Sequence, residues 1–165
     1  MTPPPKDATD AEDAAKWDAV EEATELLHEE RFHESLVELR DVLRKDPKNH
    51  YAFYFLGVAL YESGELEPAR DAYLAALRLA PGHLGARVAL SHVLRTLGDP
   101  NAAVKEGLDA LTRAPDDPDA LHAVGLAYAA RGDTVAARKY LQAFLDTGPE
   151  FEVATEVRAT LESLG

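Results

Sequence analysis

The chain has 165 residues, 30 acidic against 17 basic side chains, a net charge of −13 and no cysteine. The charge argues against nucleic acid, whose phosphates call for clustered lysine and arginine. The missing cysteine excludes disulfides, thiolate metal sites and thiol nucleophiles. Nearly half the residues are apolar (46%), yet no apolar run nears the roughly 20 residues of a membrane span, and the first residues lack the apolar stretch of a secretory signal. A globular, cytoplasmic protein with no nucleic-acid or membrane partner is expected.

Residues 1–15 are rich in proline, alanine and acids and show no period. They are expected to form a disordered arm. From residue 16 the chain repeats itself. Pro47, Pro81, Pro115 and Pro149 follow one another at intervals of 34 residues, and so do Gly64, Gly98 and Gly132. Small residues keep the same interval twice over: Ala23, Gly57, Ser91 and Gly125, then Ser35, Ala69, Ala103 and Ala137. Within each interval two apolar stripes of helical spacing flank the central turn, as Phe53, Leu56 and Leu60 do before Gly64 and Ala69, Tyr73 and Leu77 after it. The pattern predicts first helices over 16–29, 50–63, 84–97 and 118–131. Second helices are predicted over 34–45, 67–79, 101–113 and 134–146. A last helix over 151–163 carries Phe151, Ala154, Val157 and Leu161 on one face for packing on the preceding pair. The small residues let two helix backbones approach closely, the glycine ends the first helix, and the proline ends the second.

A 34-residue helix pair with these recurring residues resembles the tetratricopeptide repeat family. The resemblance covers 16–149 as four repeats, 16–49, 50–83, 84–117 and 118–149, with 150–165 as a capping helix. It implies an all-α, right-handed α-solenoid of four helix pairs. Departures from the pattern are visible. Glu30 stands where the other repeats have the turn glycine, so a less tight turn is expected there. The large apolar position held by Phe53 and Leu121 is Ala19 in the first repeat and Arg87 in the third. Gly107 occupies the place of Tyr73 and leaves room where a ring would pack. Either Leu108 and Leu111 repack that interface, or the third repeat is a soft joint with a small crevice.

No catalytic constellation is visible, and an enzyme is not expected. No serine sits in a strained Gly-x-Ser-x-Gly turn and no phosphate-binding loop appears. Carboxylate pairs such as Glu29 with Glu30 read as solvated turns. His92 and His122 fall on neighbouring first helices, where they could approach each other, but no third ligand accompanies them. No metal and no cofactor are expected.

The resemblance also implies that positions 2, 5, 9 and 12 of each first helix line a concave face. In the first two repeats these are Trp17, Val20, Thr24 and Leu27, then Tyr51, Tyr54, Val58 and Tyr61. In the last two they are Gly85, Val88, His92 and Arg95, then Asp119, His122, Leu126 and Ala129. All but Thr24, Gly85, Asp119 and Ala129 are candidate partner contacts. With Phe53, Leu56 and Leu60 assigned to packing, three tyrosines and a valine remain on one face of one helix. Contiguous aromatic surface marks an interaction site. The expected function is a protein-interaction module, an adaptor or assembly factor. It would hold a peptide or helix with apolar anchors, which Arg95, His92 and His122 would orient. A basic overall charge on that partner would suit the acidic chain. A self-assembling scaffold is the alternative. So is a secretion chaperone, since the acidity, the repeats and the Pro149–Phe151 opening of the last helix are similar to type III translocator chaperones.

Overall fold

The computed structural model describes residues 11–165. They form ten α-helices and no strand. These are α1 (Ala11–Asp18), α2 (Glu21–His28), α3 (Phe32–Lys45), α4 (His50–Glu62), α5 (Leu66–Leu79), α6 (Leu84–Thr96), α7 (Pro100–Arg113), α8 (Pro118–Arg131), α9 (Thr134–Asp146) and α10 (Phe151–Ser163). The chain divides into two compact units, the first ending at Ala86 and the second beginning at Arg87.

The expected arm is corrected in part. Its residues 1–10 lie outside the described ones, but Ala11–Asp18 is helix. The run is alanine-rich, which favours helix, and Lys16 Nζ reaches Asp46 at 2.8 Å to hold it down. The predicted first helix of the first repeat is broken at Ala19 and Val20, so α1 and α2 stand where one helix was expected. The other predicted helices form within two residues of their predicted ends.

Caps explain where helices start. Asn49, Asp99, Asp117 and Asp133 each accept the backbone N–H three residues on, at 3.1, 3.1, 2.9 and 3.2 Å. The turns that end the first helices are alike in all four repeats. The N–H groups of Arg31, Glu65, Asp99 and Asp133 bond back to the carbonyls of Leu26, Leu60, Leu94 and Tyr128 at 2.9–3.0 Å. The residue before each donor has positive φ: 81° at Gly64, 87° at Gly98 and Gly132, and 58° at Glu30. Glu30 therefore makes the same tight turn, and the looser one expected from its side chain does not form.

Helix crossings rest on complementary sizes. Gly57 lies under the Tyr73 ring, and Gly125 under Leu141, each so closely that a Cβ would collide. The third repeat reverses the arrangement. There Ser91 stands on the first helix and Gly107 on the second, and a Cβ on Gly107 would fall 2.6 Å from Val124 Cγ2 and 3.3 Å from Ser91 Oγ. The space is filled by Val124 from α8, so the crevice is set aside, while Leu108 packs with Ala103, Val104 and Ala127 and Leu111 with Leu121 and Leu141. Serine serves at two crossings: Ser35 Oγ donates to the Ala23 carbonyl at 2.9 Å and Ser91 Oγ to that of Ala103 at 2.7 Å, both fully buried.

In the first unit Val20, Ala23, Leu39, Tyr51 and Ala52 form a core, with Trp17, Phe55 and Leu56 packed on it. In the second, Leu121, Leu141, Phe144 and Val157 do so, with Leu126 and Leu161 against them. Ala154 and Val157 of α10 are buried as expected, but Phe151 is 83% exposed and does not pack on the preceding pair. It is the first residue of α10, and the chain enters there from Gly148 at positive φ.

Two substitutions test this account by chemical denaturation. Glu30→Gly is expected to stabilise by about 1 kcal/mol, since a non-glycine residue in the left-handed region costs about 1–2 kcal/mol. Gly107→Ala is expected to destabilise by about 1–3 kcal/mol by overpacking Val124; a neutral result would mean the α7–α8 contact yields freely.

Candidate functional site

In the first unit α1 lies against the start of α4 and builds a polar and aromatic cluster there. The Tyr51 hydroxyl donates to Asp13 Oδ2 at 2.5 Å, and His50 Nε2 lies 2.9 Å from Asp13 Oδ1. Burial alone would raise the Asp13 pKa, but the hydrogen bonds from Tyr51 and His50, helped by the charge of Lys16, hold it below the usual carboxylate value. Trp17 meets the Tyr51 ring edge-on, with centroids 5.0 Å apart. Asn49, wholly buried, caps α4 and donates from Nδ2 to the Lys16 carbonyl at 2.9 Å. Asp13, His50 and Asn49 were not among the expected site residues. The only signal for Asp13 was its place in a helix-favouring run.

This cluster changes the expected contact set. Tyr51 is 3% exposed, Val20 1% and Val88 7%, so all three belong to packing and leave the candidate surface. Thr24 is buried as well, its hydroxyl donating to the Glu21 carbonyl at 2.7 Å. Trp17, Leu27, Tyr54, Val58, Tyr61, His92, Arg95, His122 and Leu126 stay half-buried.

On α4 the remaining face is Tyr54, Val58 and Tyr61. Tyr54 is braced by rings on several sides: His83 and Phe55 with centroids at 4.9 Å and Tyr73 at 6.1 Å. His83 is itself fixed, its Nδ1 accepting the Ala86 N–H at 3.1 Å. Beneath, the Tyr73 phenol is held neutral: burial, reinforced by Tyr54, Tyr61 and Glu62, raises its pKa far above the usual value. The result is a rigid aromatic surface on one side of α4, in which tyrosine brings area with few rotors and a polar tip.

In the second unit His92 and His122 do come together, their ring centroids 5.8 Å apart. His122 stacks on Phe144 at 4.6 Å. Arg95 Nη2 lies 3.5 Å from His92 Nδ1. Burial, then the charge of Arg95 and the nearby His122, pushes the His92 pKa down to about 4. That of His122 is lowered too, by burial and Arg95, against the raising influence of Asp119 and Glu156. Both imidazoles are neutral at pH 7. Among the described residues no group of three or more histidine, aspartate or glutamate side chains is placed to hold a metal ion.

A profile of the tetratricopeptide repeat family matches residues 20–83 and 88–150, most of the chain. The chain belongs to the tetratricopeptide repeat family. Solved structures agree on the fold. A thermophilic tetratricopeptide protein of Thermus thermophilus matches with TM-score 0.75 at 22% identity, over 90% of this chain and 80% of that one. YrrB, described as a tetratricopeptide protein with an unusual peptide-binding site, gives 0.72 at 21% identity, over 89% and 74%. MamA of Desulfovibrio magneticus RS-1, from residue 41 to its end, gives 0.71 at 20% identity, over 95% and 97%. No curated protein gives a significant match to the sequence.

Tetratricopeptide repeats bind protein partners, and proteins built of them are generally scaffolds and not enzymes. Among the described residues no helix is long and apolar enough to cross a membrane. The repeat's departures acquire physical reasons. Arg87, at an apolar position of the repeat, is kept there by ion pairs to Glu106 and Asp109, both at 2.8 Å.

The neutral histidines make stability depend on pH. Unfolded His92 binds a proton near pH 6.5 and folded His92 only near 4, so the unfolded state gains protons first as pH falls. Stability contributed by neutral His92 is full above about pH 6.5 and is lost progressively down to about 4. The urea midpoint is expected to fall across this window, by up to roughly 3 kcal/mol in free energy. His92→Gln should flatten that part of the curve; an unchanged slope would place the titration elsewhere.

Proposed function

We propose that this tetratricopeptide protein is an adaptor or assembly factor that holds an apolar-anchored peptide or helix of a partner protein. The face of Tyr54, Val58 and Tyr61 on α4 would be the contact surface, with Trp17 and Leu27 as further candidates in the same unit. The observation that carries the reading is the half-exposed aromatic surface of α4, which remains after Tyr51 has been consumed by packing. Tyr54 is braced by His83, Phe55 and Tyr73, so its ring is presented without rotamer freedom to lose on binding. The printed description of YrrB, a peptide-binding protein of the same fold, supports a peptide ligand. Tyr61 is the residue to vary, because Tyr54 also packs and its loss would disturb the fold.

Random 12-residue peptides displayed on phage and selected on the whole chain test this. Selected peptides are expected to carry aromatic or branched aliphatic anchors. Tyr61→Ala, with helicity and unfolding midpoint unchanged, should weaken the best of them by at least tenfold, within the range of interface hot spots, about 1–4 kcal/mol. Selected peptides without apolar anchors, or affinity indifferent to Tyr61→Ala, would overturn the proposal.

A further inference from the structure

The two most exposed large apolar side chains among the described residues, Val135 at 80% and Phe151 at 83%, both stand on the last helix pair. Val135 opens a stripe of α9 that continues through Arg138, Gln142 and Asp146 at helical spacing. Phe151 opens a stripe of α10 that continues through Arg158 and Glu162. Between the stripes runs a groove made of two hollows of about 450 and 480 Å³. Gln142, Leu161 and Glu162 line both, so the hollows are continuous. Leu145 and Leu161, half-buried, give the groove an apolar floor, and Phe151 stands in water at its end. Exposed apolar surface gathered around a groove marks contact with another molecule.

Charge decides the occupant. One hollow holds Arg138 of α9 with Glu162 of α10, and the other adds Asp146 of α9 and Arg158 of α10. Opposite charges thus stand on opposite helices at each level of the groove. Among the described residues none of these four side chains is ion-paired within the chain. Two cations and two anions sum to zero, on a chain whose net charge is −13. A strongly acidic or strongly basic partner gains nothing from such a face, whereas a second copy of the chain does. A two-fold axis along the groove sets α9 of each copy against α10 of the other and preserves height along the groove. Residues that share a hollow in one copy then face each other between copies. Arg138 of each meets Glu162 of the other, and Asp146 meets Arg158. The ends match as well. The start of α10 follows the end of α9 after a short turn, so Phe151 of each copy falls against Leu145 of the other. We infer that α9 and α10 form a self-complementary face through which two copies of the chain associate as a closed dimer, four helices meeting at the contact. Helices of 13 residues are about 20 Å long, which puts the contact at the small end of specific interfaces, so the dimer is weak and depends on concentration. The face lies in the second unit, and it fails or stands separately from the aromatic face of α4.

Sedimentation equilibrium of the whole chain, from micromolar to millimolar concentration at about 0.15 M salt, tests this. The mass is expected to rise to twice that of one chain and to stop there. Phe151→Asp should weaken the dimer at least about tenfold, as loss of an interface anchor does. Arg138→Glu and Glu162→Arg should each weaken it by about tenfold, because each sets like charges face to face. The two changes in one chain restore opposite charges across the axis and should recover most of the affinity. All three side chains are exposed, so helicity and the unfolding midpoint of each variant should match the unaltered chain. A chain monomeric throughout, a mass growing past the dimer, or a dimer indifferent to Phe151→Asp overturns the proposal. So does a double charge exchange without recovery, or a dimer that Tyr61→Ala breaks.

Discussion

The close approach of two helices within each repeat is the constraint from which the rest of this structure follows. At each such crossing one side must nearly vanish. Gly57 yields to Tyr73 and Gly125 to Leu141. In the third repeat both sides are small, Ser91 and Gly107, and Val124 of the next helix moves into the space. Ser35 and Ser91 show that the small residue can also carry a hydrogen bond, because at this distance the facing carbonyl is within reach of a hydroxyl. Backbones this close leave little apolar area inside each pair, so the larger side chains must be buried against the neighbouring pair. That is why such a fold comes as an array.

The same constraint decides which surfaces remain for binding. A first helix has one side against its own partner helix and another against the preceding helix. In α4, Ala52, Gly57, Ala59 and Leu60 are buried, and Tyr54, Val58 and Tyr61 are left half-exposed. Tyr51 lies on the same stripe yet is lost to it, because α1 supplies Asp13 for its hydroxyl and Trp17 for its ring. In the second unit the corresponding stripe carries polar groups. Arg87, at the packing position beside that stripe, is neutralised by two carboxylates of α7, whereas Arg95 on the stripe lies beside the His92 imidazole.

The repeat was legible because it is written in residues whose roles are local. A glycine at positive φ, a proline after a helix and a small residue at a crossing act the same way in every copy, so their 34-residue interval places the helices without knowledge of contacts. The pairing of His92 with His122 was legible for a related reason, since both lie on the same stripe of successive first helices. Glu30 marks the edge of that legibility. Its side chain argued for a looser turn, but the bond from Arg31 N–H to the Leu26 carbonyl imposes left-handed geometry on whatever residue stands there.

What the sequence determined by itself is the all-α class, the helix pairs and the family, because periodicity and turn chemistry depend on neighbours a few residues apart. Tertiary structure alone decided which residues of the candidate face are buried and which stay half-exposed. Tyr51 and Tyr54 are three residues apart and chemically identical, yet Tyr51 is buried where Asp13, 38 residues away, takes its hydroxyl, and Tyr54 stays half-buried among the rings of His83, Phe55 and Tyr73. Gly107 reads as a gap until Val124 fills it. Burial and charge pairing are set by partners distant in the chain, and no local period records them.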